Sequence, residues 1–293
     1  MKKIGVVGIE NSWSSEKLAE EVNRQTGFRL LIDMAKIRFE LSEGKVFYQG
    51  TDLSSLDGII IKKIGPEYSP DLLDRLEILR FLNVQGLKIF SGPNSILRLL
   101  DRLNCTVSLK LGGIPIPATV VTEGIEEAIN AVEQFGVAIL KPLYTSKARG
   151  MMVIHAGGSA RQEVEQFKNA GNPIMYIQKM VDIPGKDLGV VFLGGKYVAT
   201  YSRCRHKDSW NTTTNNGGKY RHYDPPKETI ELAHKAQALF DLDFTCVDIV
   251  ETEDGPLVFE VSAFGGFRGL LEANGIDAAA LYTQHVLEKL KNA

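Results

Sequence analysis

Residues 244–262 read FTCVDIVETEDGPLVFEVS and contain two apolar runs, 247–250 and 257–262, joined by a short polar turn. Such runs predict two buried strands of one hairpin. Each run carries a carboxylate where an apolar residue is expected, Asp248 in the first and Glu260 in the second. They lie at matching depths, and two facing carboxylates repel unless a cation lies between them. A hard ion such as Mg²⁺ would resolve the repulsion and indicates phosphoryl chemistry; a solvated strand face with an ordinary turn fits the pattern equally well.

The composition is that of a globular protein. The chain has 293 residues, 44% of them hydrophobic, which is enough for two or three packed units. Its 34 basic and 36 acidic residues nearly balance, so we expect no nucleic-acid partner. The first apolar run, 4–9, is too short for a signal peptide, and no run reaches membrane-spanning length, which predicts a cytoplasmic protein without membrane contact. Three widely spaced cysteines predict buried thiols rather than disulfides or a zinc site, namely Cys105, Cys204 and Cys246.

The first 92 residues predict a small α/β unit. A β-rich run precedes a helical pattern for which Ser14 is a plausible cap. Gly5 and Gly8 form only a partial glycine fingerprint, which we interpret as a structural turn rather than a dinucleotide site. The other elements expected here are a hairpin over 38–48, a strand at 58–61, a helix over 72–81 and a strand at 87–90.

A cluster of helix breakers at 91–95 predicts a boundary, and a helix is expected from 96 to 111. The next segments alternate between strands and helices, with strands expected at 119–121, 137–140, 151–155, 174–180, 188–193 and 197–203 and helices over 125–135 and 160–169. Residues 205–223 have no apolar period and predict a long polar, basic loop. Helices are expected again over 225–240 and 278–290.

Two strand ends carry candidate nucleotide-binding groups. Lys141 ends an apolar strand beside a loop of small residues, 145–150, and a lysine with loop amides can hold phosphates. An exposed strand-end lysine explains the same pattern. Gln178 and the three residues that follow it end another strand, where backbone groups could meet an adenine edge.

The order of these features along the chain is specific, and it runs Asn94, Asp101-Arg102, Lys141-Pro142, the small-residue loop, Gln178-Lys179, Asp187, Arg203, Trp210, Gly217-Gly218, Asp248 and Glu260-Val261-Ser262. Over essentially the whole chain it resembles the ATP-grasp superfamily, most closely its RimK-like branch of carboxylate–amine (amino-acid) ligases. The resemblance implies an α/β and α+β architecture. A Rossmann-like (pre-ATP-grasp) domain would span 1–92, a central ATP-grasp subdomain 93–178, and a C-terminal ATP-grasp subdomain with the metal site 179–293.

The resemblance also implies roles for individual residues. Arg203 would steady the transferring phosphoryl group as the catalytic residue. ATP would contact Arg102, Lys141, Ser146, Arg149, Gly150, Gln178, Lys179, Met180, Val181 and Asp187, with Lys141 on phosphate, 178–181 at adenine and Asp187 near the ribose. Mg²⁺, with Mn²⁺ as an alternative, would bind Asp248, Glu260 and Ser262. The substrates would meet Arg205, Asn216 and Gly217.

Several positions depart from the family pattern. Arg102 stands where lysine is usual, and the loop 145–150 lacks two usual glycines. Gly189 replaces an arginine, and Ser262 replaces a metal-binding asparagine. Thr213 and Asn216 stand where asparagine and arginine are common. Most of these losses fall on the substrate side, so glutamate specificity does not carry over from the resemblance.

The function implied is ATP- and Mg²⁺-dependent ligation of a carboxylate to an amine through an acyl phosphate, adding an amino acid such as glutamate to a small molecule or peptide. The alternative is a degenerate ATP-grasp protein that binds nucleotide without chemistry, which Ser262 and the glycine-poor loop favour. A dehydrogenase using the N-terminal unit would need a fuller glycine fingerprint. The partners expected are the two substrates, with homo-oligomerisation left open.

Overall fold

The computed structural model describes residues 1–146, 148–205, 212 and 217–292. Within these residues the strands form four sheets and alternate with helices, which confirms the mixed α/β and α+β class. No helix in these ranges is long and apolar enough to cross a membrane.

Residues 1–92 form a parallel sheet, a small antiparallel sheet and two helices. The elements are β1 (Ile4–Val7), α1 (Trp13–Thr26), β2 (Leu31–Ile32), β3 (Arg38–Glu40), β4 (Lys45–Tyr48), β5 (Thr51–Asp52), β6 (Gly58–Ile61), α2 (Asp71–Val84) and β7 (Ile89–Phe90). The parallel sheet has the order β2-β1-β6-β7. All residues of β1 and β6 are buried, because strands of a parallel sheet are covered on both faces.

The turn after β1 differs in detail from the sequence prediction. Ser12 is the N-cap residue of α1, so Ser14 is not the cap. Ser15 is buried, and its hydroxyl accepts a hydrogen bond from the N–H of Ile9 at 3.2 Å. A Cβ on Gly8 would lie 2.7 Å from the Ser15 Cβ. This glycine therefore allows close strand–helix packing, in agreement with the structural interpretation.

The middle of the chain forms an antiparallel sheet with the order β10-β9-β11-β8. Its elements are α3 (Pro93–Leu97), α4 (Arg102–Leu111), β8 (Thr119–Thr122), α5 (Ile125–Phe135), β9 (Val137–Lys141), β10 (Met152–His155), α6 (Ala160–Asn169) and β11 (Met175–Lys179). The single helix expected over 96–111 is wrong. The chain breaks after α3, and the Asp101 carboxylate caps α4 by accepting a hydrogen bond from the N–H of Asn104 at 2.7 Å.

The last part forms a five-stranded antiparallel sheet with the order β14-β13-β12-β15-β16. Its elements are β12 (Lys186–Leu193), β13 (Lys196–Cys204), β14 (Lys219–His222), α7 (Lys227–Ala238), β15 (Phe244–Thr252), β16 (Gly255–Ser262), α8 (Phe267–Asn274) and α9 (Ala278–Lys291). The hairpin predicted over 244–262 is confirmed. Helix α8 was not predicted, and β14 lies within the segment interpreted as a loop.

Alternate residues of β12 and β15 point to opposite faces of this sheet and pack in two separate cores. One face, including Val190 and Val247, shares a core with Ala236 of α7. The other face, including Val191 and Cys246, shares a core with helices α8 and α9. The second face continues beyond α8 into the candidate site.

The N-terminal unit is bonded directly to the C-terminal one. Lys62 directly follows β6 and is buried; its Nζ donates a hydrogen bond to the Phe264 carbonyl at 2.7 Å and lies 3.8 Å from the centre of the Phe267 ring. The hydroxyls of Ser91 and Tyr282 lie 3.0 Å apart and share a hydrogen bond. The loop after β16 is therefore held from the parallel sheet.

Candidate active site

The sheet register brings the predicted carboxylates and arginine onto one face. Asp248 pairs with Glu260 across β15 and β16, and Asp187 pairs with Arg203 across β12 and β13. Gly189 pairs with Asp248 across β12 and β15. Paired residues of an antiparallel sheet point to the same face, so these side chains share one surface.

That surface forms one wall of a cavity of about 540 Å³. Twelve residues with predicted site roles line it, namely Arg102, Lys141, Ser146, Arg149, Gln178, Lys179, Val181, Asp187, Arg203, Asp248, Glu260 and Ser262. Four others are not among the lining residues, namely Gly150, Met180, Arg205 and Gly217. Asn216 lies outside the described residues, as do Trp210 and Thr213.

Lys141 is buried at the end of β9. Its Nζ donates a hydrogen bond to Gln178 Oε1 at 2.5 Å and lies 5.5 Å from the centre of the Phe259 ring. Burial, together with the charge of Arg102, lowers the pKa of Lys141 to about 7. The alternative interpretation of Lys141 as an exposed lysine at a strand end is therefore wrong, because its side chain is buried.

The end of β11 is partly committed to the sheet. The N–H of Met180 donates to the Val137 carbonyl at 2.9 Å, and that of Lys179 donates to the Ala118 carbonyl at 2.8 Å. Neither amide can be offered to an adenine edge while these bonds persist. Val181 lines the cavity, so within 178–181 it is better placed than Lys179 or Met180 to offer its backbone to adenine.

Arg203 is held between two carboxylates. Its guanidinium makes a bidentate ion pair with Asp187 and a second contact with Asp248 at 2.9 Å. Burial would lower the pKa of Arg203, but the two carboxylates hold it well above its ordinary value. Burial also raises the pKa of Asp248 above its ordinary value, although Arg203 acts in the opposite direction. The aspartate expected near a ribose is thus the cross-strand ion-pair partner of the candidate catalytic arginine.

Glu260 is the more exposed of the facing carboxylates and meets a buried arginine. Arg102 Nη1 lies 3.3 Å from Glu260 Oε2, while Arg102 Nη2 donates to the Thr145 carbonyl at 3.3 Å. A bulge after Asp248 lets both Phe259 and Glu260 line the cavity. Arg102 therefore links β16 to the loop that follows β9.

Ser262 uses its hydroxyl within its own turn. The oxygen accepts hydrogen bonds from the N–H groups of Phe264 at 3.2 Å and Gly265 at 3.0 Å. A hydroxyl oxygen has two lone pairs, so a third role as a direct metal ligand competes with these bonds. The hydroxyl proton can still be donated into the cavity.

The loop after β9 is stiffer than a glycine-rich one. Ala148 adopts a left-handed φ of 58° and Gly150 one of 66°. Arg149 Nε donates to the Ser146 carbonyl at 3.3 Å. The loop is therefore closed by its own side chains, and Ala148 occupies a conformation that suits glycine.

A model of the RimK-like ATP-grasp domain matches residues 100–286, which include every predicted site residue. The chain belongs to the RimK-like ATP-grasp family.

Similar proteins match nearly the whole chain. Tetrahydromethanopterin:alpha-L-glutamate ligase of Methanosarcina acetivorans is 25% identical, and the match covers 100% of this chain and 99% of the relative. The solved structure of ATP-grasp ligase PsnB, complexed with a phosphomimetic variant of minimal precursor, Mg and ADP, superposes with a TM-score of 0.77 at 16% identity, covering 99% of both chains. A RimK domain protein from Sphaerobacter thermophilus gives a TM-score of 0.73 at 20% identity, covering 97% of this chain and 99% of that one.

These similarities confirm the ATP-grasp architecture and the ATP-dependent carboxylate–amine ligase class. The Mg and ADP bound to PsnB agree with the ATP and Mg²⁺ expected as cofactors. None of the three favours the degenerate binder. The M. acetivorans relative is named for tetrahydromethanopterin and glutamate, and PsnB was solved with a precursor, in line with the kinds of partner expected.

Sequence reasoning missed part of the RimK-like site. The N-terminal unit supplies one wall, including Lys63, Pro66 and Tyr68, whereas every site residue predicted from the sequence lies in the central and C-terminal units. Tyr201 and Cys246 also line the cavity. They precede Arg203 and Asp248 by two residues, and the strand period of two was the signal that placed them on the same face.

Proposed function

We propose that this ATP-grasp protein activates a carboxylate of a small molecule or peptide as an acyl phosphate and couples it to an amine, such as that of an amino acid. The observation that carries the proposal is the gathering of Lys141, Arg203, Asp248 and Glu260 around one cavity. The M. acetivorans relative is named for glutamate ligation and PsnB was solved with a precursor, which supports small-molecule and peptide substrates alike.

Lys141 is the proposed phosphate-binding group. Its amine is buried, so an arriving phosphate favours the charged ammonium form and interacts with it more strongly than in water. Gln178 fixes its direction. The neighbouring loop, with Ser146 and Arg149, would cover the phosphates, and Gly150 provides the left-handed turn that closes it.

Asp248 and Glu260 suit Mg²⁺, because they are oxygen ligands at paired register positions and Mg²⁺ retains waters at its remaining positions. When bound, ATP supplies the phosphoryl group and Mg²⁺ neutralises its developing charge. Since the Ser262 oxygen is already an acceptor twice, we propose that this serine shapes the turn and orients a water.

Arg203 is the proposed catalytic residue, and Asp187 positions it. A guanidinium fixed by a bidentate carboxylate pair needs no reorganisation when charge develops on the phosphoryl oxygens. The role of Asp187 near the ribose stays a prediction, as do the substrate roles of Arg205, Asn216 and Gly217.

The domain division also remains a proposal. The sheets support a boundary near residue 92, where β7 ends the parallel sheet. The second boundary, placed at 178, would cut β11, which ends at Lys179. We therefore propose that the central subdomain extends to that residue.

Phosphate release from ATP tests the proposal. Purified protein is incubated with Mg²⁺, pooled carboxylates and pooled amines; release that requires both pools is expected. Lys141→Met should lower the rate at least tenfold, since a charged hydrogen bond contributes about 1.5–3 kcal/mol. Lys196→Met changes an exposed lysine and serves as the matched control. ATP binding without release in any pool would instead support the nucleotide-binding alternative.

A further inference from the structure

The row of paired residues that holds the two carboxylates continues to an aromatic side chain. Tyr201 pairs with Gly189, Gly189 pairs with Asp248, and Asp248 pairs with Glu260. Lys141 lies near the opposite end of this row, close to Arg102, which contacts Glu260. Tyr201 thus forms the end of the cavity beyond the metal carboxylates.

Two glycines make the space for this ring. A Cβ on Gly189 would lie 2.2 Å from Tyr201 Cζ, and a Cβ on Gly269 would lie 2.4 Å from Tyr201 Cε1. One glycine is on strand β12 and the other is on helix α8. The ring therefore sits between a strand and a helix, and a larger residue at either position would displace it.

The end wall is uncharged. The Tyr201 hydroxyl and Cys246 Sγ lie 3.3 Å apart and share a hydrogen bond. The Tyr220 ring meets the Tyr201 ring edge to face, with centroids 5.2 Å apart.

Two cations near this wall, Arg203 and Lys63, already have partners among the described residues. Arg203, two residues along the same strand, is held by Asp187 and Asp248. Lys63 also lines the cavity, and its Nζ donates to the Ser12 hydroxyl at 2.7 Å. Within residues 1–146, 148–205, 212 and 217–292, a carboxylate placed against Tyr201 would lose its water and would meet in Arg203 and Lys63 only cations that already have partners, whereas an apolar group would gain contact area.

We propose that Tyr201, with Tyr220 and Cys246, forms a subsite for an aromatic or aliphatic group of the amine substrate, and that this subsite rejects the side-chain carboxylate of glutamate. This proposal rests on the proposed ligase function, because only a ligase would bind an amine substrate in this cavity. The M. acetivorans relative is named for glutamate. The residues that line this cavity instead indicate an apolar side chain on the amine substrate.

The experiment measures binding of matched amino acids to the protein loaded with Mg²⁺ and a non-hydrolysable ATP analogue. Calorimetry compares L-phenylalanine and L-leucine with L-glutamate and L-glutamine, which share the same α-amino and α-carboxyl groups. Phenylalanine or leucine should bind at least tenfold more tightly than glutamate. Equal or tighter glutamate binding overturns the proposal, and so does the lack of saturable binding by both apolar amino acids.

Variants assign the preference to the wall. Tyr201→Phe keeps the ring and should retain the preference, whereas Tyr201→Leu should reduce phenylalanine binding at least fivefold without changing affinity for the ATP analogue. Tyr197→Leu, an exposed tyrosine on the same strand, is the control. An unchanged preference in a folded Tyr201→Leu protein overturns the assignment. Phosphate release with glutamate would refute the subsite but not the ligase, while apolar binding without turnover would refute only the ligase.

Discussion

Replacing Arg203 by Met should destabilise the protein more than it would if the arginine served catalysis alone. The guanidinium pairs with Asp187 and Asp248, whose side chains are only 6% and 13% exposed. Removing one partner of a buried ion pair leaves an uncompensated charge and costs about 3–5 kcal/mol. Here two carboxylates are left, so we expect a loss of free energy of unfolding at the upper end of that range.

Urea unfolding at pH 7, followed by fluorescence, measures this loss. Arg161→Met removes an exposed ion pair with Glu126 and should cost no more than about 1 kcal/mol. Adding Asp187→Asn and Asp248→Asn to Arg203→Met removes the repulsion and should restore most of the stability. A loss below about 1 kcal/mol in Arg203→Met, or no recovery in the triple variant, would refute the view that this arginine compensates buried charge.

Three further outcomes are expected. Because the pKa of Lys141 is lowered to about 7, the free protein leaves it neutral at pH 8; phosphate favours the charged form, so ATP binding should take up about one proton. Calorimetry in buffers of different ionisation enthalpy measures this uptake, which Lys141→Met should abolish. Glu260→Gln should raise the Mg²⁺ concentration for half-maximal ATP turnover at least tenfold, and an unchanged requirement would contradict the paired-carboxylate site. Ala148→Gly should raise the thermal midpoint, since a non-glycine residue at a left-handed φ costs about 1–2 kcal/mol; a lower midpoint would contradict that strain.

The lowered pKa of Lys141 also makes the free energy of unfolding depend on pH. Its folded pKa lies below the ordinary lysine value of about 10.4, so between these two values the unfolded chain binds more protons than the folded one. The contribution of this lysine to stability therefore rises with pH across that window. In Lys141→Met this part of the pH dependence should be missing from urea unfolding curves.

Much of the fold followed from local patterns in the sequence. The apolar runs around Asp248 and Glu260 marked a hairpin because a short turn joins two strands of matching length. Helices α5 and α6 have the predicted bounds, since each combines an apolar period with a glycine or serine just before its start.

The details of the site depend on two bulges that the sequence does not show. One lies between Val191 and Phe192, and without it Asp187 would face Ser202 rather than Arg203. The other follows Asp248, and without it Asp248 would face Phe259. A one-residue change of register moves a side chain to the opposite face of a sheet, so hydrophobic patterning alone could not place these residues together.

Non-local packing explains the other differences. In the sequence, Gly189 only interrupts the apolar pattern of a strand. The structure shows that its missing side chain leaves space for the ring of Tyr201, which is twelve residues away in sequence. The wall supplied by Lys63 and Tyr68 arises from contact between units distant in the chain. Neither contact has a local sequence signal.

The buried Lys62 has a consequence for building chimeric ligases. Its hydrogen bond to the Phe264 carbonyl anchors the turn shaped by Ser262, two residues beyond the end of β16. A fragment beginning at residue 93 would expose that carbonyl and the Phe267 ring to water and free the turn. The N-terminal unit therefore forms part of the frame of the candidate active site, and a unit exchanged from another ligase must bring a lysine directly after the strand that corresponds to β6.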